Sequence, residues 1–224
     1  MIDPRLASPD TRRILLISPH PDDETLGCGG TIALASDRGD DVLVVFLTDG
    51  EAGLHDAVPT GQEDRRISRR LEARSALDVL GVADSEWWSE PDGFLAVSDQ
   101  LVDRLAQLIH TWAPTTVLAP HPAESHADHR ASSELAIRSC PAGVELLAYE
   151  VWTPLAVVDE VVDITAVEHR KRAAIRCYTT QIEHVDFEDA LLGLARYRGA
   201  FWLWEHGVNT GRFAEGFARL SGVG

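Results

Sequence analysis

Lysine is almost absent. Among 224 residues only Lys171 carries it, so Schiff-base chemistry would have a single residue to run on and is close to excluded. The remaining positive charge is arginine, whose planar fork binds carboxylates and phosphates but serves equally on ordinary surfaces. Positive charge is short in any form, with 20 Lys+Arg against 36 Asp+Glu and a formal charge of −16. That deficit argues against sequence-independent nucleic-acid binding and against adsorption to anionic lipid. Cysteine is scarce too: Cys28, Cys140 and Cys177 match neither a CxxC nor a zinc-finger spacing and read as reduced, packed thiols. The longest strongly apolar run, residues 42–47, is far too short to cross a bilayer. Met1-Ile2-Asp3-Pro4-Arg5 opens with an acid, and residues 14–17 are too brief for a signal-peptide core, so a cytoplasmic protein is expected. Repeats, low-complexity tracts and composition breaks are lacking, which predicts one domain over residues 1–224.

What is present is a core-forming chain, 45% hydrophobic and 25% charged. Short apolar runs predict strands over 14–18, 42–47, 86–88 and 115–119. Helices are predicted over 24–37, 63–80, 99–110 and 126–139. The second uses Ile67, Leu71, Leu77 and Leu80 as its apolar face and Gly81 as its stop, and Ser98 or Asp99 caps the third. This alternation predicts an α/β fold, a mostly parallel, doubly wound sheet with helices on both faces. The last third is less regular. Strands over 146–152 and 156–162, an antiparallel extension, and helices over 168–178 and 187–198 are expected there.

Two of the strands end in the same tripeptide, Pro19-His20-Pro21 and Pro120-His121-Pro122. Ligands of open α/β sheets bind beyond the carboxyl ends of strands, and both of these loops are rich in metal-binding groups. The first continues as Asp22-Asp23-Glu24; the second holds His121, Glu124, His126, Asp128 and His129, three of the chain's nine histidines. A lone histidine is most often structural, but two His/carboxylate clusters at strand ends point to a mononuclear metal site. Neutral imidazole with carboxylate suits zinc, and ferrous iron or another divalent ion is also compatible. A spare carboxylate and a spare histidine would handle protons, which is the inventory of a metal-assisted hydrolase.

The segment Ser18-Pro19-His20-Pro21-Asp22-Asp23-Glu24-Thr25-Leu26-Gly27-Cys28-Gly29-Gly30-Thr31-Ile32-Ala33 resembles the first signature of the PIG-L/LmbE-like de-N-acetylases. His126-Ala127-Asp128-His129 is similar to their second, and Leu47-Thr48-Asp49-Gly50-Glu51 also follows the pattern. The likeness covers residues 14–140 and fades over 141–224. Pro19 and Ala127 depart from the usual residues without removing a ligand. The resemblance implies a Rossmann-like domain with His20, Asp23 and His129 as zinc ligands and Asp22 as general base. It further implies that His126, as the imidazolium, stabilises the oxyanion, and that Asp128 orients a histidine, taken to be His126, and favours its charged form. Arg69 and His121 are candidates to bind substrate. The expected activity is removal of an N-acetyl or similar acyl group from a small amino sugar or its conjugate. An amidase of the same family, cleaving a larger thiol-conjugate or antibiotic-associated amide, is the alternative.

Other features carry less. Glu24 either bonds groups behind the site or caps its helix, and Cys28 reads as packing. His55 and Asp56 fit a solvated loop, and the tryptophans fit core and interface. A nucleotide-binding oxidoreductase fares badly, because Gly27-Cys28-Gly29-Gly30 is not GxGxxG. A non-catalytic sugar- or metal-binding module is unsupported while every ligand position is intact. A homo-oligomer is compatible with the sequence.

Overall fold

The computed structural model describes residues 12–53, 61–205, 207 and 212–222; His55, Asp56 and His206 lie outside them. Seven strands form one sheet: β1 Arg13–Ser18, β2 Asp41–Thr48, β3 Asp84–Glu90, β4 Thr116–Pro120, β5 Glu145–Tyr149, β6 Glu160–Asp163 and β7 Ala214–Leu220, in the order β3-β2-β1-β4-β5-β7-β6. The pairs from β3 through β5 are parallel, while β7 runs antiparallel to both β5 and β6.

The helices α1 Asp23–Asp37, α2 Gln62–Leu80, α3 Asp99–Trp112 and α4 Ala127–Ser139 fall where the alternation predicts. Their ends follow capping chemistry: Ser98 accepts from the Leu101 N–H, and Gly81 takes φ 78° beyond the last residue of α2. The central strands are apolar throughout because both sheet faces are covered. Ile14, Leu16, Val42, Val44 and Phe46 join α1 and α2 in one core, while Leu15, Ile17, Leu43, Val45 and Leu47 join α3 and α4 in the other. Among the described residues no helix is long and apolar enough to cross a membrane.

Two expectations are corrected. Ile67 and Leu71 are 49% and 58% exposed, and the buried face of α2 is Arg69, Glu72, Ala73, Ala76, Leu77 and Leu80. The polar members of that face are engaged outside the core: Arg69 meets Pro21 and Asp22 beyond β1, and Glu72 accepts from Thr179 and Thr180. The antiparallel extension exists, but its central member is β7, whose Ala-Glu-Gly-Phe-Ala-Arg-Leu sequence has weak strand propensity and is held by pairing on both edges. The C-terminal helices are α5 Glu168–Ile175, α6 Thr179–Ile182 and α7 Phe187–Arg198, and α7 continues into a π-helical turn, Gly199–Leu203.

β1 lies between β2 and β4, so the chain leaves it toward one side and enters β4 from the other. The loops after β1 and β4 therefore part at a topological switch point and leave a crevice. α1 starts in that crevice and is anchored from behind: Glu215 of β7 accepts from the Gly30 and Thr31 N–H groups at 2.8 and 2.7 Å, and Lys171 of α5 donates to Glu215 and to the Leu26 carbonyl. Gly30 also permits close packing, since a Cβ there would sit 2.5 Å from Ile164 Cγ2. Gly30→Ala should cost about 1–3 kcal/mol of stability by overpacking. A urea midpoint indistinguishable from wild type would show that the α1 contact has slack.

Candidate metal centre

The loop after β1 is clamped before it reaches the crevice. Ser18 Oγ donates to the His20 carbonyl at 2.7 Å, and Thr48 of β2 donates to the Pro19 carbonyl through both N–H and Oγ1. Asp22 then adopts φ 137° and ψ −33°, a conformation that side chains rarely occupy and that costs on the order of 1–3 kcal/mol. Several contacts hold it. Its carbonyl accepts the Thr25 and Leu26 N–H groups, its N–H donates to Glu24 Oε2 at 3.0 Å, and Arg69 Nη2 meets its Oδ2 at 3.1 Å while also donating to the Pro21 carbonyl.

This turn sends the two aspartates in different directions. Asp23 Oδ2 lies 3.1 Å from His20 Nδ1 and 3.1 Å from His129 Nε2, joining the two loops. Burial alone would raise the Asp23 carboxyl, but His129 and His20 beside it hold it far below the usual range. The other nitrogen of His20, Nε2, sits 3.1 Å from both Asp128 Oδ2 and Asp92 Oδ1. Burial opposes charge on that ring, yet Asp128, Asp23 and Asp92 raise its pKa well above the ordinary value. Both outer carboxylates are themselves fixed by backbone donors, Asp128 by Gly93 and Leu95 and Asp92 by Ala52.

His20, Asp23, Asp128, His126 and His129 are therefore brought together. The role expected of Asp128 is corrected: its carboxylate bonds His20 and the 93–95 backbone, and it touches His126 only through its N–H, which donates to Nδ1 at 3.2 Å. His126 is the N-cap of α4, and burial together with His20 and His129 lowers its pKa. A ring whose Nδ1 accepts a hydrogen bond and whose charged form is disfavoured is a neutral imidazole with its proton on Nε2. His121 departs from its expected role as well. Its Nε2 donates to the Thr153 carbonyl at 2.6 Å, its Nδ1 accepts from Ala123, and it does not line the cavity.

The donor set fits a divalent ion. His129 is fully buried, and neither of its ring nitrogens has a hydrogen-bond partner among the described residues. Nε2 approaches Asp23 without hydrogen-bond geometry, at a spacing close to the edge of about 3.3 Å between donors that converge on one tetrahedral zinc. Among the described residues the groups whose ligating atoms all lie within 4.8 Å of one another are His20/His126/His129 and His20/Asp92/Asp128, and Asp23 Oδ2 stands beside the first of them at 3.1 Å from both His20 Nδ1 and His129 Nε2. His126 offers only Nε2, since its Nδ1 accepts the Asp128 N–H, and Asp92, Asp128 and Asp23 all accept backbone N–H donors as well.

A cavity of about 350 Å³ opens over this cluster. Its polar side includes Asp22, Arg69, Asp92, His126 and Gln181, and its apolar wall is Leu26, Trp152, Val185 and Phe187. Arg69 is buried, and its Nε and Nη1 lack partners among the described residues. Asp92, Trp152, Gln181, Val185 and Phe187 lie outside the two signatures and come from distant segments, so the sequence offers little signal for them. Glu124 stood within the second loop, but its work is visible only here: fully enclosed, it accepts the N–H groups of Val151, Trp152 and Thr153 and so sets Trp152 on the cavity wall.

Residues 15–140 match the PIG-L family model, described as GlcNAc-PI de-N-acetylase. The chain belongs to the PIG-L family. A diacetylchitobiose deacetylase from Thermococcus kodakarensis is 34% identical over 133 residues, 58% of this chain and 49% of that relative, so the match spans about half the relative's length. The solved N,N'-diacetylchitobiose deacetylase of Pyrococcus horikoshii aligns with a TM-score of 0.83 at 27% identity, covering 98% of this chain and 87% of that one. GalB, the 4-carboxy-2-hydroxymuconate hydratase of Pseudomonas putida, aligns with a TM-score of 0.84 at 26% identity over 96% and 98% of the two chains. One fold thus serves a deacetylase and a hydratase, and chemistry has to be argued from the site. The PIG-L match also ends before Trp152, Gln181, Val185 and Phe187, which form much of the cavity wall.

Removing the Glu124 carboxylate would strand three backbone donors. Glu124→Ala should cost roughly 2–4 kcal/mol and speed amide exchange at residues 151–153. Wild-type protection there would mean another acceptor holds the segment.

Proposed function

We propose that this PIG-L chain is a metal-dependent N-deacetylase that removes an acetyl, or similar acyl, group from the nitrogen of an amino sugar or its conjugate. The observation that carries this reading is the approach of His20 Nδ1 and His129 Nε2 to one oxygen of Asp23, beside a second, separately held carboxylate on the same cavity. A divalent ion held by His20, Asp23 and His129, zinc by this reading, would supply Lewis acidity, making a water acidic and polarising an amide carbonyl.

The chain's own groups do the rest. Asp22 is the general base. Burial raises its carboxyl and Arg69 lowers it, leaving it at about 6, so it is ionised at neutral pH yet basic enough to take a proton. The proton it takes is then available to the leaving nitrogen. Neutral His126 donates from Nε2 to the oxygen that becomes negative as the carbonyl is attacked. Asp92 and Asp128 fix the His20 ring through Nε2, which leaves Nδ1 to the metal.

The cavity favours a sugar. Trp152, with Phe187 edge-on beside it, gives the apolar faces of a ring a surface to lie against. The relatives named as diacetylchitobiose deacetylases support the same substrate class. The larger-amide alternative leaves the metal chemistry unchanged and differs in the acyl group released. Mass spectrometry of the products separates the two, and would also reveal hydration without acyl release.

Asp22→Asn should keep its metal and lose turnover by about 10²- to 10⁴-fold. Metal analysis with steady-state assays checks both, and near wild-type turnover would remove Asp22 from the mechanism. Because the base must be ionised, kcat/KM falls as pH drops through the pKa of Asp22, and a nearby divalent ion moves that fall below about 6. Arg69→Met withdraws a positive charge and should shift the acid limb to higher pH. A limb that stays put would assign it to another group.

A further inference from the structure

Tyr178 lies far from both signatures and outside the cavity lining, yet it reaches the proposed base in two steps. It precedes α6 in the C-terminal third and is almost fully buried. Its hydroxyl donates to Glu24 Oε1, and the other oxygen of the same carboxyl, Oε2, accepts the Asp22 N–H at 3.0 Å. Thr25 Oγ1 donates to Oε1 as well, so Glu24, with no exposed surface, is enclosed by donors.

The Asp22 backbone is the place where such a tether matters. At φ 137° the residue stays put only if its surroundings hold it. Arg69 restrains the side chain and the Pro21 carbonyl, while the N–H is held by Glu24. Glu24 has a short side chain, but its carboxyl can turn; Tyr178, fixed in the core, sets that rotation. The segment carrying Tyr178 goes on to supply Gln181, Val185 and Phe187 to the cavity, and Thr179 and Thr180 tie it to Glu72 of α2. The cavity wall and the base thus share one anchor.

We propose that Tyr178 is a positioning residue: acting through Glu24, it holds Asp22 in the strained turn that presents its carboxylate to the cavity. This rests on the reading of Asp22 as general base. A purely structural tyrosine would affect stability alone. A positioning residue affects the chemical step, and its effect disappears once Glu24 no longer transmits it.

The test combines Tyr178→Phe, which keeps the ring and removes the hydroxyl, with Glu24→Gln and the double variant. Each is assayed for acetate release from N,N'-diacetylchitobiose, for metal content, and for amide exchange at Asp22 by NMR. In Tyr178→Phe we expect kcat to fall about tenfold with KM within twofold and metal retained, and Asp22 exchange to rise about tenfold while the body of α1 stays protected. The double variant should be no slower than Glu24→Gln. Unchanged Asp22 exchange in Tyr178→Phe, unchanged kcat, or additive losses in the double variant would each overturn the proposal. Asp22→Asn separates this from the base assignment: if it is fully active while exchange in Tyr178→Phe still rises, the tether stands and the base reading falls. If the wild type releases no acetate from this probe, the exchange measurement decides the tether by itself.

Discussion

Asp23 is a carboxylate with almost no exposed surface, and one of its oxygens faces a nitrogen from each of two histidines. Burying such a charge is costly unless it is paired and hydrogen-bonded, so both loops that contribute histidines must meet it. The meeting place is set by the sheet. Only at the split between β1 and β4 do two strand-end loops part far enough to leave a crevice yet lie close enough to share a ligand. The clamp on the Pro19 carbonyl, the turn at Asp22 and the start of α4 at His126 all serve that convergence.

Around this point the acidic groups are sorted by what they accept. Asp92 and Asp128 each combine backbone N–H donors with His20 Nε2. Glu124 takes three backbone donors of the 151–153 segment, and Glu24 takes the Asp22 N–H with two hydroxyls. Asp22 alone of these faces both a guanidinium and the cavity, which suits a group that must exchange a proton. The formal charge of −16 therefore includes a set of buried carboxylates whose electrostatics are satisfied locally, beside those that make the surface acidic.

The C-terminal third does more than cover the sheet. β7 inserts between β5 and β6, and its Glu215 joins Lys171, the chain's one lysine, in anchoring α1. The same region supplies Trp152, Val185 and Phe187 to the apolar side of the cavity, where Leu26 of α1 joins them. This division matches the range of the family likeness: the two His/Asp loops lie within residues 15–140, and much of the cavity wall lies beyond it.

The sequence by itself determined the order of strands and helices through residue 139 and the two loops that carry the His/Asp clusters, because apolar runs, caps and such clusters are local signals. It could not place Ile67 and Leu71, since helical spacing does not say which stripe faces a core and which faces solvent. Nor could it show β7, whose residues become a strand only between two partners. The uses of side chains within the loops were decided in three dimensions. Asp128 faces His20 rather than His126, His121 is spent on Thr153, and Asp92, Glu124 and Tyr178 gain their roles from neighbours tens of residues away. A residue's chemical type is written in the chain; its hydrogen-bond partner depends on which loops the packed sheet and helices bring together.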